Sequence, residues 1–269
     1  MRKVIYCRES LFDNDEHTAA KDAGFIVVPC ITEIPEESFV VPRYSMYPFV
    51  KDQYREIKNR NSKVINRIEQ HRYIADLGNY IRDISDLSPL THLLGENVSN
   101  IPFSGPFVLK GQTNSRKNSW KSSMYAETLE DLKRVHNDLL KDTLIGQQDI
   151  YARKFEKLKT YMIGISDMPV TKEFRCFIAY GQIISKGYYW SNYYDDIEGN
   201  KPDPSEIPEE FLQTVIDRIG KNSNFYCIDV AQKEDESWIV IELNCGMQSG
   251  LSMNDPEKFY TNLYNSIKE

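Results

Sequence analysis

One stretch restricts the fold of this chain more than any other: Tyr226-Cys-Ile-Asp229-Val-Ala231, a polar connection over Gln232–Ser237, then Trp238-Ile-Val-Ile-Glu242-Leu-Asn244. Two runs rich in β-branched and aromatic residues flank a charged turn, which predicts an antiparallel hairpin. Side chains alternate along a strand, so Glu242 and Asn244 project to one face while Ile241 and Leu243 pack on the other. Asp229 can join the first pair from the partner strand. Three oxygen-bearing side chains converging from two apolar strands suit Mg²⁺, a hard ion that takes one or two carboxylates plus phosphate oxygens and water. The same alternation also describes a half-buried hairpin with one solvated polar face, and the spacing leaves both readings open.

With 269 residues the chain has length for one large domain or for two to three lobes. Its content of 41% hydrophobic and 27% charged residues is that of a globular protein. A net charge of −7 excludes a general binder of phosphate backbones, so nucleic acid is not an expected partner, although local basic patches remain possible. The five cysteines (Cys7, Cys30, Cys176, Cys227, Cys245) are odd in number, lack C-x-x-C spacing and mostly sit in apolar runs. Buried thiols in a reducing compartment are therefore expected in place of disulfides or zinc. Met1-Arg-Lys leads straight into strand-like Val4–Cys7, and no long apolar run follows. Neither a signal peptide nor a membrane span is expected, and the expected location is cytoplasmic.

Along the chain, a strand at Val4–Cys7, a helix at Asn14–Ala23 ended by Gly24, and a strand at Phe25–Val28 stopped by Pro29 make a βαβ beginning. Arg8-Glu9-Ser10 follows the first strand where a dinucleotide site would need a G-x-G-x-x-G loop. Ser38–Val41 is expected as an edge strand. Apolar residues at three- and four-residue steps predict helix from about Lys51 to Ile84. Ser88-Pro89, Gly95 and Ile101-Pro102 mark a passage to a second unit. There, Pro106-Phe-Val-Leu-Lys110-Gly111 is a short strand ending in lysine, Gln112–Ser119 is a polar loop, and Leu129–Leu140 is a helix. Tyr151–Glu156 is a strand, Lys172–Ile184 a hairpin turning at Gly181, and Pro208–Ile219 a helix before the opening hairpin. The order predicts an α+β class with an α/β N-terminal lobe.

The strand-plus-lysine at Lys110, a loop with a second cation, the strand Ala152–Glu156, Glu173-Phe-Arg175, and Asp229 with Glu242-Leu-Asn244 resemble, in that order, the signature of the ATP-grasp superfamily. The resemblance is closest to compact, stand-alone, RimK-like carboxylate–amine ligases and covers roughly Pro102 to Pro256. It implies an ATP-grasp fold with a nucleotide between two α+β lobes. The expected division is 1–100 for an N-terminal lobe, 101–150 for a small lobe, and 151–269 for a C-terminal lobe with the Mg²⁺ site.

The family pattern gives each residue a role. Lys110 matches the lysine that reaches the ATP phosphates; the alternative is a solvated strand-end lysine. Lys117, with Arg116 as a substitute, matches the loop that closes over the γ-phosphate. Only Gly111 stands between Lys110 and Trp120, where many relatives are glycine-rich, so Thr113, Ser115 and Lys117 side chains are candidates to replace backbone amides. Backbone groups of Lys154 and Glu156, with Phe155, match the strand at the adenine edge, though the side chains depart from the usual Gln-Glu-aromatic pattern. Glu173 and Arg175 share a strand face and, with Lys117, are the catalytic candidates. Arg175 matches the arginine beside the γ-phosphate and the reacting carboxylate, and a structural Glu–Arg pair is the alternative. Asp229, Glu242 and Asn244 match the Mg²⁺ ligands. Ser249 and Gly250 border the acceptor pocket. Outside the family pattern, Arg8 stands at the carboxyl end of the first strand, where ligands of open α/β sheets gather, and is a candidate anchor for a substrate carboxylate; the alternative is a solvated surface arginine.

The implied activity is ATP-dependent joining of a carboxylate to an amine through an acyl phosphate, releasing ADP and phosphate. ATP and Mg²⁺ are the expected cofactors, and small-molecule or peptide carboxylates and amines the expected partners. Two alternatives are a phosphotransferase that stops at phosphorylation and a nucleotide-regulated binding protein without chemistry. No side chain identifies itself as the general base for the amine.

Overall fold

The computed structural model describes residues 1–7, 14–46, 49–95 and 98–268. Strands β1 (Arg2–Tyr6), β2 (Ile26–Val28), β3 (Ser38–Pro42) and β4 (Lys63–Val64) form a parallel sheet in the order β2-β1-β3-β4. Parallel neighbours need crossovers, and helices α1 (Asn14–Asp22) and α2 (Val50–Asn59) provide two of them. The expected edge strand at Ser38 is internal: β1 lies on one side and the two-residue β4 on the other, with Val40 and Val41 fully buried. Lys63-Val64 is too short to interrupt a helical periodicity visibly. The predicted helical run therefore divides, turning through Asn61 at a φ of 52° and resuming as α3 (Ile68–Ala75) and α4 (Leu77–Tyr80). Arg8 lies outside the described residues.

On α3, His71 is buried with its Nδ1 3.2 Å from Cys245 Sγ. Burial, aided by the charge of Arg72, pushes the imidazole down to about 4. Between that value and the ordinary 6.5, the unfolded chain binds a proton that the folded chain refuses. Stability therefore rises with pH across this window and is lost as the pH falls through it, by up to roughly 3 kcal/mol. Urea melts at pH 4.5 and 7 are expected to show this loss in the wild type and a smaller one in His71→Gln.

The second sheet is antiparallel: β5 (Thr91–Leu93), β6 (Phe107–Gly111), β7 (Tyr125–Ala126) and β8 (Ile150–Lys154), in the order β5-β8-β6-β7. A division at residues 100 and 150 runs through this sheet, because β5 precedes the first boundary and β8 begins at the second. Between β6 and β7 lies a one-turn helix, α5 (Trp120–Ser123). Helix α6 (Leu129–Leu140) matches the sequence limits because its start is specified locally. Thr128 Oγ1 accepts the Asp131 N–H at 3.1 Å, and the Asp131 carboxylate accepts the Thr128 N–H at 3.2 Å. Its Leu132, Val135 and Leu139 pack with Leu109, Ile150 and Ala152 in a core separate from the rest.

After the small hairpin β9 (Thr160–Ile163) and β10 (Pro169–Thr171), the third large unit is an antiparallel sheet. Its strands β11 (Glu173–Ala179), β12 (Gln182–Tyr188), β13 (Phe225–Gln232) and β14 (Trp238–Cys245) run in the order β12-β11-β13-β14. The β11–β12 turn falls at Tyr180-Gly181, where both residues have positive φ. Helix α7 (Glu209–Ile219) precedes β13. Helix α8 (Pro256–Ser266), beyond the predicted elements, buries Phe259 against Phe177 and brings Tyr260 near Phe25. It helps make one continuous core of the first and third sheets. Buried Arg43 reinforces this junction by donating to Tyr260 Oη, Gly246 O and Glu16. Among the described residues no helix is long and apolar enough to cross a membrane. Cys7, Cys176, Cys227 and Cys245 are buried, Cys30 is exposed, and none of the five is in a disulfide.

Candidate active site

The hairpin that dominates the sequence is β13–β14, and its register sets Asp229 opposite Glu242 and Cys227 opposite Asn244. The pairing then shifts to Val230 opposite Val240, leaving Ile241 as the extra residue of a bulge. Ile241, expected to pack on the face away from Glu242, instead lines the same cleft. On the other side of β13, Arg175 of β11 stands opposite Asp229. Its Nε and Nη2 donate to the two Asp229 oxygens at 2.8 and 2.7 Å, and Nη1 donates to Gly250 O at 2.9 Å. Asp229 is fully buried, so this planar fork supplies the charge compensation that water cannot. Gly187 lies opposite Arg175 on β12, and a Cβ there would come within 2.4 Å of Asn254 N. Its missing side chain lets the segment after β14 lie close to the sheet and bring Gly250 to Arg175.

Between the second and third sheets lies a cleft of about 350 Å³. Its lining includes apolar Val108, Met124, Phe155, Leu158 and Ile241 as well as Lys110, Lys117, Glu173 and Glu242. Lys110 sits on β6 and places Nζ 2.5 Å from Glu242 Oε1. Burial lowers the lysine pKa and works to raise that of Glu242, but Lys110 and Lys117 prevail and hold the Glu242 carboxyl at about 2. The pair is shared by two lobes, with Lys110 buried and Glu242 largely so. Lys117 donates to Tyr189 Oη at 2.7 Å and lies 3.9 Å from Glu173 Oε1. Burial pushes Glu173 up to about 7 against the pull of Lys117. Its Oε1 is buried and, among the described residues, has no hydrogen-bond partner.

An orphaned carboxylate oxygen beside an anionic Glu242 fits a divalent cation with phosphate oxygens, which would satisfy both at once. Asp229 and Asn244 belong to the same hairpin but are not in the cleft lining, and both Asp229 oxygens are held by Arg175. Among the described residues no three His, Cys, Asp or Glu side chains form a metal-holding group by themselves.

The remaining predicted positions are placed as follows. Lys154, Phe155 and Glu156 all line the cleft. The Lys154 N–H is taken by Leu90 O and the Phe155 N–H by Pro106 O, so these two amides bind the segments leading into β5 and β6 and not a ligand. Arg116 turns to a bidentate pair with Asp142, at 2.7 and 2.6 Å, which anchors the loop after β6 and leaves Lys117 as its cation in the cleft. Ser115 lines the cleft, while Thr113 donates its N–H to Gln148. Ser249 and Gly250 line a second pocket of about 180 Å³ with Arg43, Ser45 and Gln248.

Two residues of this site carry no predicted role. Arg153 on β8 lines the cleft and donates to Ile241 O at 2.5 Å and to Thr91 Oγ1 at 3.2 Å, tying the second sheet to the bulge beside Glu242. The available signal was a charge inside the otherwise apolar run Ile150-Tyr-Ala-Arg153. Tyr189 meets both Lys117 and Arg175, and its signal was an aromatic run at the end of a site strand.

A family model, ATP-grasp domain, R2K clade family 3, matches residues 93–263. No curated protein sequence matches the chain. Among solved structures, D-cycloserine synthetase DcsG aligns with a TM-score of 0.64 at 11% identity, covering 99% of this chain and 100% of that one. A RimK domain ATP-grasp protein from Sphaerobacter thermophilus DSM 20745 aligns at 0.58 with 14% identity, covering 97% and 98%. The ATP-grasp ligase PsnB, in a complex with a phosphomimetic variant of its minimal precursor, Mg and ADP, aligns at 0.59 with 10% identity, covering 100% and 99%. At such identities the likeness carries the fold, and the family match carries the kinship. It spans Lys110, Lys117, Glu173, Arg175, Asp229, Glu242 and Asn244, so the resemblance in the sequence is borne out: the chain belongs to family 3 of the R2K clade of ATP-grasp domains.

Proposed function

We propose that this protein is an ATP-dependent ligase that joins a carboxylate to an amine through an acyl phosphate. The observation that carries the reading is the convergence in one cleft of Lys110 and Lys117 from the second unit with Glu173 and Glu242 from the third, next to apolar walls. An adenine suits the apolar walls, and a chain of phosphates suits the lysines. The PsnB complex with Mg and ADP supports the same cofactors here.

In the proposed reaction a substrate carboxylate oxygen attacks the γ-phosphorus, the bond to the β-phosphate oxygen breaks, and ADP leaves. The amine then attacks the acyl carbon, phosphate departs, and the nitrogen loses a proton. Lys110 and Lys117 stabilise negative charge on the phosphates, since positioning and electrostatics dominate phosphoryl transfer. Arg175, fixed on Asp229, donates to the carbonyl of Gly250, and Gly250 with Ser249 lines the second pocket, where we place the carboxylate and amine substrates. Glu242 and Glu173, the two carboxylates of this cluster that line the cleft, are the residues that would hold Mg²⁺, which when bound neutralises phosphate charge.

The test is nucleotide product analysis across a screen of amino acids, short peptides and polyamines, with mass analysis of the product. ADP and phosphate are expected together with an amide. AMP and pyrophosphate would exclude an acyl phosphate, and ADP without an amide would mark a phosphotransferase.

A further inference from the structure

We propose that Tyr189 is a positioning residue, which holds Lys117 and Arg175 together on one side of the reacting phosphoryl group. The proposal rests on the ligase reading for its kinetic consequence, and on geometry for the clamp itself.

Tyr189 follows the last residue of β12, and its N–H donates to Glu173 O at 2.9 Å, so its backbone is fastened to β11. The neighbouring Trp190 Nε1 donates to Thr171 Oγ1 at 3.2 Å and fixes the turn beyond it. Tyr188 is buried among Phe174, Tyr161 and Tyr194 on one face of the sheet. Strand alternation sends Tyr189 to the opposite face, the face of Glu173 and Arg175. Gly187, two residues earlier on that face, presents no side chain that would keep the phenol ring from Arg175.

The ring has two cationic neighbours from two different units of the fold. Arg175 Cζ lies 4.8 Å from the ring centroid. Lys117 Nζ, from the loop after β6, lies 4.0 Å from the same centroid and donates to the phenol oxygen at 2.7 Å. The Trp190 ring lies 4.8 Å from the same ammonium. Two cations at one site repel each other, and a lysine on a loop has many rotamers. An electron-rich ring face and a phenol oxygen offset both effects without adding a negative charge that would oppose a phosphate. Burial keeps the phenol protonated at neutral pH, so the oxygen is a neutral acceptor. The clamp therefore sets Lys117 in place while leaving the ammonium charge available to a ligand.

The experiment compares the wild type with Tyr189→Phe, which keeps the ring for Arg175 but removes the oxygen that holds Lys117, and with Tyr189→Leu, which removes both. Two readouts are taken: steady-state ADP release, and the rate of Lys117 acylation by acetic anhydride, followed by mass spectrometry with and without Mg-ATP. Tyr189→Phe is expected to lower kcat about tenfold with the ATP KM within about twofold, a split that follows from lost orientation and not lost ground-state binding. It is also expected to speed Lys117 acylation severalfold in the absence of nucleotide, with an unchanged melting temperature. Tyr189→Leu is expected to lower kcat by about a further tenfold. Unchanged acylation of Lys117 in folded Tyr189→Phe would overturn the clamp, and so would a loss of turnover accompanied by an equal loss of thermal stability. Acylation needs no turnover, so a wild type that never forms an amide would remove the ligase reading while the clamp is still decided.

Discussion

Glu242→Gln is expected to reduce ADP release by about a thousandfold or more while leaving a folded protein. Glu242 is the carboxylate held most firmly in its ionised form within the cleft, at about 2, because Lys110 and Lys117 outweigh the cost of its burial. Glutamine keeps the shape and an oxygen that can accept from Lys110, now 2.5 Å away. The bulge beside it is still held by the Arg153 bond to Ile241 O. What disappears is the charge that a divalent cation needs and that keeps Lys110 poised and neutralised. The stability cost is therefore modest, on the order of 1–2 kcal/mol for a buried ammonium left with a neutral acceptor. ADP release and a thermal melt on the same preparation check both parts. Wild-type turnover in the folded variant would remove Glu242 from the reaction.

Arg175→Met is expected to destabilise the fold by about 3–5 kcal/mol, because it strips both hydrogen bonds from a fully buried Asp229 and leaves its charge uncompensated. Adding Asp229→Asn to that variant is expected to restore much of the lost stability, since the uncompensated charge is then gone. Turnover is not expected to return, because the guanidinium near Gly250 and the second pocket is still missing. Denaturant melts of both single variants and of the double variant give the coupling directly. If the two substitutions prove additive in stability, Arg175 and Asp229 do not act as a pair.

Local patterns accounted for much of this molecule. The start of α6 was legible because Thr128 and Asp131 cap it within four residues of chain. The β11–β12 turn was legible because Gly181 adopts a φ of 76°, which costs glycine little. Facing of Asp229 and Glu242 followed from a hairpin with two strongly patterned strands. Elements that depend on a neighbour were not legible. β4 exists only because β3 offers it an edge, and α8 is held by packing against Phe177 from a distant strand.

The sequence by itself determined which chemistry-bearing groups are present, their order, and which of them share a strand face, since alternation along a strand is a local property. Tertiary structure alone decided their partners. It gave Arg116 to Asp142 and left Lys117 to the cleft, bound Asp229 to Arg175, and set Glu242 against a lysine 132 positions away. It turned Ile241 into the cleft through a bulge and assembled Tyr189 with two cations. The physical reason is that charge pairing and burial depend on distance in space, and three separately patterned sheets acquire those distances only when they pack.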